Sequence, residues 1–183
     1  MLKVTIKPQK YWDAKREVFF SYPEKPITLQ LEHSLVSLSK WEAKWNKPFL
    51  SNTGNRTEEE MRDYVRCMTL TQNVDPNLYY FIPDDVFSEI SEYIQSPMTA
   101  TTFNDSKERP SREIITNELI YYWMVALQIP FDPCEKWHLN RLMTLIKVCS
   151  IKSGPQKKMS PNEIRARNRS LNDARRRAMH SKG

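Results

Sequence analysis

Only three glycines occur in 183 residues (Gly54, Gly154 and Gly183), and that scarcity removes whole architectures from consideration. Loops that cradle phosphates, and the tight turns of dinucleotide-binding folds, need several glycines close together so that backbone N–H groups can approach the ligand. Neither can be built from this chain. A GxSxG nucleophile elbow is missing as well. Nucleotide-driven chemistry and serine-hydrolase chemistry of the usual kinds are therefore not expected.

Proline supplies the punctuation that glycine does not. Near the start, Leu2-Val4-Ile6 and Ile27-Leu29-Leu31 alternate with polar residues, and Val18-Phe19-Phe20 is a short β-prone run. Pro8, Pro23 and Pro26 lie between these runs, which suits turns and sheet edges. The pattern predicts a small antiparallel sheet of two or three strands, which needs a helix packed on it. That helix is expected next, with Ser34 as its N-cap, Leu35, Leu38, Trp41 and Trp45 along one face, and Pro48 at its stop.

Further helices follow the same logic. Thr57 with Glu60 fits a capping box, and Met61, Tyr64, Val65 and Met68 form a stripe behind it. A helix from about Asp84 carries Val86, Phe87, Ile90, Tyr93 and Ile94, whereas residues 95 to 112 read as irregular. A helix from Thr116 or Asn117 through Leu127 is apolar on more than one face, so it is expected to be the buried helix of the domain. Asp132-Pro133-Cys134-Glu135 predicts the start of the next, with its stripe at Leu139, Leu142, Ile146 and Cys149 and its end at Gly154-Pro155. Ser160-Pro161-Asn162-Glu163 repeats that opening before a last helix reaching about Ala178.

Charge divides the chain unequally. Residues 152 to 183 hold ten Lys/Arg against Glu163 and Asp173, while the first 151 residues hold the other 18 basic and 20 acidic side chains. The overall +6 therefore belongs to a C-terminal arm. On a helical wheel Arg165, Arg169 and Arg176 cluster, Arg167, Arg175 and Arg177 spread round them, and Ile164, Leu171, Ala174 and Ala178 form a thin stripe opposite. Three readings stay open: a solvated helix, a phosphate-binding surface, and a clamp for an acidic or amphipathic protein segment. The last is preferred, because the body is acidic and offers no recognisable groove-reading helix or aromatic platform.

The remaining clusters have structural readings beside functional ones. Trp137-His138-x-x-Arg141 places His138 and Arg141 three apart on an expected helix face, and it invites ligand binding or simple packing. Glu58-Glu59-Glu60 sits where it complements a helix dipole. The runs Tyr79-Tyr80-Phe81 and Tyr121-Tyr122-Trp123 read as packing surface, with some rings free to serve as interface anchors. Cys67, Cys134 and Cys149 are widely spaced, and neither CxxC nor HxxxH occurs, so reduced thiols and no metal or cofactor are expected. No apolar run approaches the roughly 20 residues that span a bilayer, and MLKVTIKPQK lacks a signal-like apolar stretch.

Taken in order, the words SLSKWEAKWNKPFL, MRDYVRCMT, PMTATTF, SREIITNELIYYWMVALQIPF and CEKWHLNRLMTLIKVC, closing on KKMSPNEIRARNRSLNDARRR, suggest a family. From about Leu29 onward the chain resembles the small tail assembly chaperones of long-tailed bacteriophages. The resemblance implies a non-enzymatic assembly factor of the host cytoplasm, which escorts the tape measure protein until tail tube subunits polymerise around it. A homo-oligomer would be compatible with that role. In the family a longer form commonly arises by ribosomal frameshifting near the end of the short one, and the charged C-terminus is where such an extension would start. Competing functions are a structural protein of the head–tail connector or tail, and a nucleic-acid binder acting through the arm.

The expected architecture is mainly α within an α+β class: a small N-terminal antiparallel sheet packed on a helical bundle, followed by a basic helix. The expected boundaries are 1–33 for the strands, 34–151 for the helical core and 152–183 for the arm. The residues expected to touch a partner are Trp137, His138, Arg141, Arg165, Arg169, Leu171, Arg175, Arg176 and Arg177.

Overall fold

The computed structural model describes residues 1–51, 56–103, 113–153 and 161–179. Four strands precede the helices: β1 (Leu2–Ile6), β2 (Gln9–Asp13), β3 (Val18–Tyr22) and β4 (Ile27–Leu31). They form two separate two-stranded antiparallel sheets, β1 with β4 and β2 with β3. β1 and β4 pair Val4 with Leu29 and Ile6 with Ile27, so their alternation puts Val4, Ile6, Leu29 and Leu31 into the core. β2 was not expected, because Gln-Lys-Tyr-Trp-Asp lacks apolar alternation; its partner strand and an aromatic anchor hold it instead.

The chain then turns helical: α1 (Leu35–Trp45), α2 (Glu58–Met68), a 3-10 turn (Pro76–Phe81), α3 (Asp84–Gln95), α4 (Asn117–Ala126), a single-turn α5 (Phe131–Cys134) and α6 (Leu139–Ser153). A mainly helical α+β fold with a small antiparallel β component is the result, as the sequence predicts. The expected box at Thr57 forms, and the Ser34 cap proves to be a box as well. Ser34 and Ser37 satisfy each other's backbone N–H groups, as do Thr57 and Glu60. The stop of α1 is Asn46, in the left-handed region at φ 52°, and not Pro48.

α1 and α2 enclose an aromatic core. Phe49 stacks on Tyr64 at 3.9 Å, Trp41 meets Phe49 edge-on at 5.0 Å, and the Trp41 indole donates to the Glu60 carbonyl at 2.8 Å. Asp63, on α2, accepts from the Trp45 indole at 2.8 Å and pairs with Lys44 and Arg66 at 2.8 and 2.7 Å. Burial pushes the Asp63 carboxyl up, but these donors outweigh it and hold it below its ordinary value.

Two expectations need correcting. α4 is not the buried helix of the domain: Asn117, Ile120 and Met124 face inward, while Tyr122 and Val125 are 65% and 62% exposed. A single stripe suffices to pack it against α1, so its second apolar face is left at the surface. The Asp132-Pro133-Cys134-Glu135 opening does not start the long helix either. Asp132 has an extended ψ of 127°, the turn closes at once, and α6 starts at Leu139. There the backbone is claimed by tertiary pairing, because His138 bridges Ser34 and the Leu139 N–H donates to the His33 carbonyl at 2.7 Å.

The chain separates into two compact units, Met1–Cys149 and Ser150–Gly183. The strands belong to the same unit as the helices of the body. The second unit contains α7 (Pro161–Ala178). The Gly154-Pro155 stop, Ser160, His180 and three of the arm's lysines lie outside the described residues.

Candidate interaction site

In the arm, α7 is an 18-residue helix, about 27 Å long at 1.5 Å per residue. Its described side chains are all exposed, including Arg165, Arg167, Arg169, Arg175, Arg176 and Arg177. Ile164 and Leu171, seven residues apart along the stripe, are 45% and 48% exposed. Arg175, Arg176 and Arg177 occupy the last turn, where cations complement the negative end of the helix dipole. An isolated helix of this length is marginal in water, and most helices owe their stability to a covered apolar face. α7 has such a face, and its Ile164 and Leu171 side chains are exposed.

The second expected cluster is divided by the true start of α6. Arg141 is exposed and stacks its guanidinium over the half-buried Trp137 ring at 4.1 Å, so these two remain a surface pair. His138 turns inward and is 4% exposed. Its Nε2–H donates to the Tyr93 carbonyl at 3.0 Å, and its Nδ1 accepts from the Asn140 backbone at 3.3 Å. The ring meets His33 at 5.0 Å and Tyr93 at 4.9 Å, both edge-on. His138 is therefore a buried tie between α3 and the start of α6, and it is separated from the surface on which Trp137 and Arg141 lie.

His33 is buried beside it, with Nδ1 hydrogen-bonded to the Tyr64 hydroxyl at 2.5 Å. Burial, reinforced by His138, holds the His33 pKa down to about 3. Burial also lowers that of His138. Both rings are neutral at physiological pH. A neighbouring cavity of about 440 Å³ is lined by His33, Phe49, Arg56, Met61, Ile94 and Asn140 among others.

Neither a family model, nor a curated protein sequence, nor a solved structure corresponds to the chain.

The β2–β3 hairpin carries a surface that the sequence did not single out. Its inner face is pinned to the 3-10 turn: Tyr11 and Tyr22 each lie 4.8 Å from the Phe81 ring, and Phe20 lies 6.2 Å away. Tyr22 also donates to Asp75 at 2.6 Å, and burial together with that carboxylate pushes its hydroxyl up to about 12. The outer face has Trp12 directly opposite Phe19, with ring centroids 4.9 Å apart. These rings are 52% and 72% exposed. The only hint was Val18-Phe19-Phe20, but nothing local says which of two adjacent phenylalanines faces out.

Each of the two other aromatic runs leaves one ring in solvent, Tyr80 at 60% and Tyr122 at 65% exposure. Among the described residues, no group of three or more His, Cys, Asp or Glu side chains is placed to hold a metal ion. Cys67 and Cys134 are buried and Cys149 is half-buried, all as free thiols. No described helix is long and apolar enough to cross a membrane.

Proposed function

We propose that this protein is a non-enzymatic assembly chaperone of a bacteriophage tail, acting in the host cytoplasm on the tape measure protein, with the tail tube protein as a second candidate partner. The observation that carries the reading is α7, a basic helix with an exposed Ile164/Leu171 stripe. An arm of that kind suits a long amphipathic helical partner with acidic residues beside its apolar positions. Such a partner would aggregate if left bare, because large exposed apolar patches drive association. Many weak contacts repeated along its length would shield it, with avidity standing in for single-site affinity.

In this reading Arg165, Arg169, Arg175, Arg176 and Arg177 supply charge, and Leu171 supplies the apolar anchor. Trp137 and Arg141 offer a further stacked contact on the body. The ordered sequence words that resemble phage tail assembly chaperones support the same role.

Mass spectrometry of infected-cell lysate beside purified phage particles tests it. A chaperone is abundant in lysate and missing from particles. Stoichiometric recovery from particles contradicts the reading and favours a structural tail or connector protein.

A further inference from the structure

The β2–β3 hairpin is built to be held on one side and used on the other. Its inner face is satisfied by Phe81 and Asp75, so the fold does not need Trp12 and Phe19 to be covered. Yet these two large rings sit opposite each other in solvent.

Charge on the hairpin is mixed but net basic, with Lys10, Lys15 and Arg16 against Asp13 and an exposed Glu17 in the turn. Lys10 shares their face, two residues from Trp12, and Lys15 lies in the connecting turn. Both ammonium groups are exposed and make no ion pair or hydrogen bond among the described residues. Asp13 is turned back on the hairpin: it accepts from the Lys15 and Arg16 backbones at 2.9 and 3.2 Å, and its other oxygen lies 3.8 Å from Arg16. Residues 1 to 31 hold six Lys/Arg against three acids, so this end of an otherwise acidic body is basic.

Ring geometry selects among acidic partners. Trp12 and Phe19 are tilted by 58° to each other. A nucleobase needs a flat face to stack on, and successive bases need successive platforms. Trp12 and Phe19 touch at 4.9 Å and share no flat platform, whereas an aliphatic side chain packs across their exposed edges without needing one.

We propose that the exposed Trp12/Phe19 ring pair is a docking site for an acidic amphipathic protein segment, which lays an aliphatic side chain across the outer edges of the rings and aligns carboxylates with Lys10 and Lys15. The site does not depend on the function assigned to the arm. It gives the body its own grip on a chain with alternating aliphatic and acidic positions.

The test uses the full-length protein with ¹⁵N-labelled tryptophan, the Trp12 indole signal being assigned from Trp12→Phe. The probe is a peptide of about 15 residues with leucines at helical spacing and glutamates between them. Its lysine-for-glutamate counterpart and an oligothymidylate serve as controls. The acidic peptide should shift the Trp12 indole signal. Combined Trp12→Ala and Phe19→Ala should weaken its binding by about tenfold or more, as expected for buried aromatic anchors. Lys10→Glu, which leaves both rings in place, should weaken it several-fold, and the basic peptide should not bind.

The same shift should survive in a full-length variant with Arg165, Arg169 and Arg176 changed to Glu. That variant separates a failure of the hairpin from a failure of the arm. An unmoved Trp12 signal overturns the proposal, as does an equal response to the basic peptide. A response to oligothymidylate would reassign the ring pair to nucleic acid, and a shift driven by protein concentration alone would reassign it to a second copy of the chain.

Discussion

Glu42 on α1 grips Asn117 at the start of α4 twice over, accepting its backbone N–H at 2.8 Å and its side-chain amide at 2.9 Å through one carboxylate oxygen. The other oxygen accepts the Phe49 backbone N–H at 2.7 Å. One buried carboxylate thus closes the loop after α1 and fixes the N-terminus of a helix 75 residues away in sequence. It also meets the positive end of the α4 dipole.

Removing that carboxylate strands donors in the core. Glu42→Ala should cost about 3 kcal/mol or more, because three buried N–H donors lose their acceptor at about 1 to 3 kcal/mol each. Glu42→Gln keeps an acceptor oxygen and should cost about 1 to 3 kcal/mol. Urea denaturation of the two variants checks the order as well as the size.

The neutral pair His33 and His138 makes stability depend on pH. Both have pKa values lowered in the fold, to about 3 for His33, from an ordinary value of 6.5. Below pH 6.5 the unfolded chain takes up protons that the native chain refuses, so stability is intact above that pH and falls as pH drops through it. For His33 alone the loss should reach about 2 kcal/mol at pH 5. Tyr64 faces this ring from α2, and Tyr93 faces His138 from α3. The carboxylates with lowered pKa values, Glu60, Asp63 and Asp75, add their own loss at more acid pH. Chemical denaturation between pH 7 and 5 isolates the histidines, and His33→Gln should flatten that slope.

Phe81 is the peg on which the hairpin hangs, through Tyr11, Phe20 and Tyr22. Phe81→Ala should cost about 2 to 4 kcal/mol. It should loosen residues 9 to 22 before the rest of the body, read as early loss of amide protection across β2 and β3. Uniform loss of protection over the whole body would show that the hairpin has no separate anchor.

What could be read in advance was local. Thr57 declares its helix because a cap and its partner lie three residues apart, Ser34 because a favoured cap precedes an apolar stripe, and the alternation of β1 and β4 names their buried face within five residues. What could not be read was set at a distance. Glu42 looks like any charged helix residue until Asn117 arrives beside it. His138 has helical spacing from Arg141, but its backbone is taken by Ser34. Trp12 and Phe19 belong to a hairpin whose orientation is decided by Phe81.

The arm was the opposite case, since its charge and stripe are both legible and neither needs the body. Its role is tested most directly by co-purification from infected cells. Full-length protein with Arg165, Arg169 and Arg176 changed to Glu and Leu171 changed to Asp should fold with an unchanged melting temperature, because these side chains are exposed. It should lose the tape measure protein that the wild type retains. Undiminished recovery of that partner by the folded variant would contradict the account.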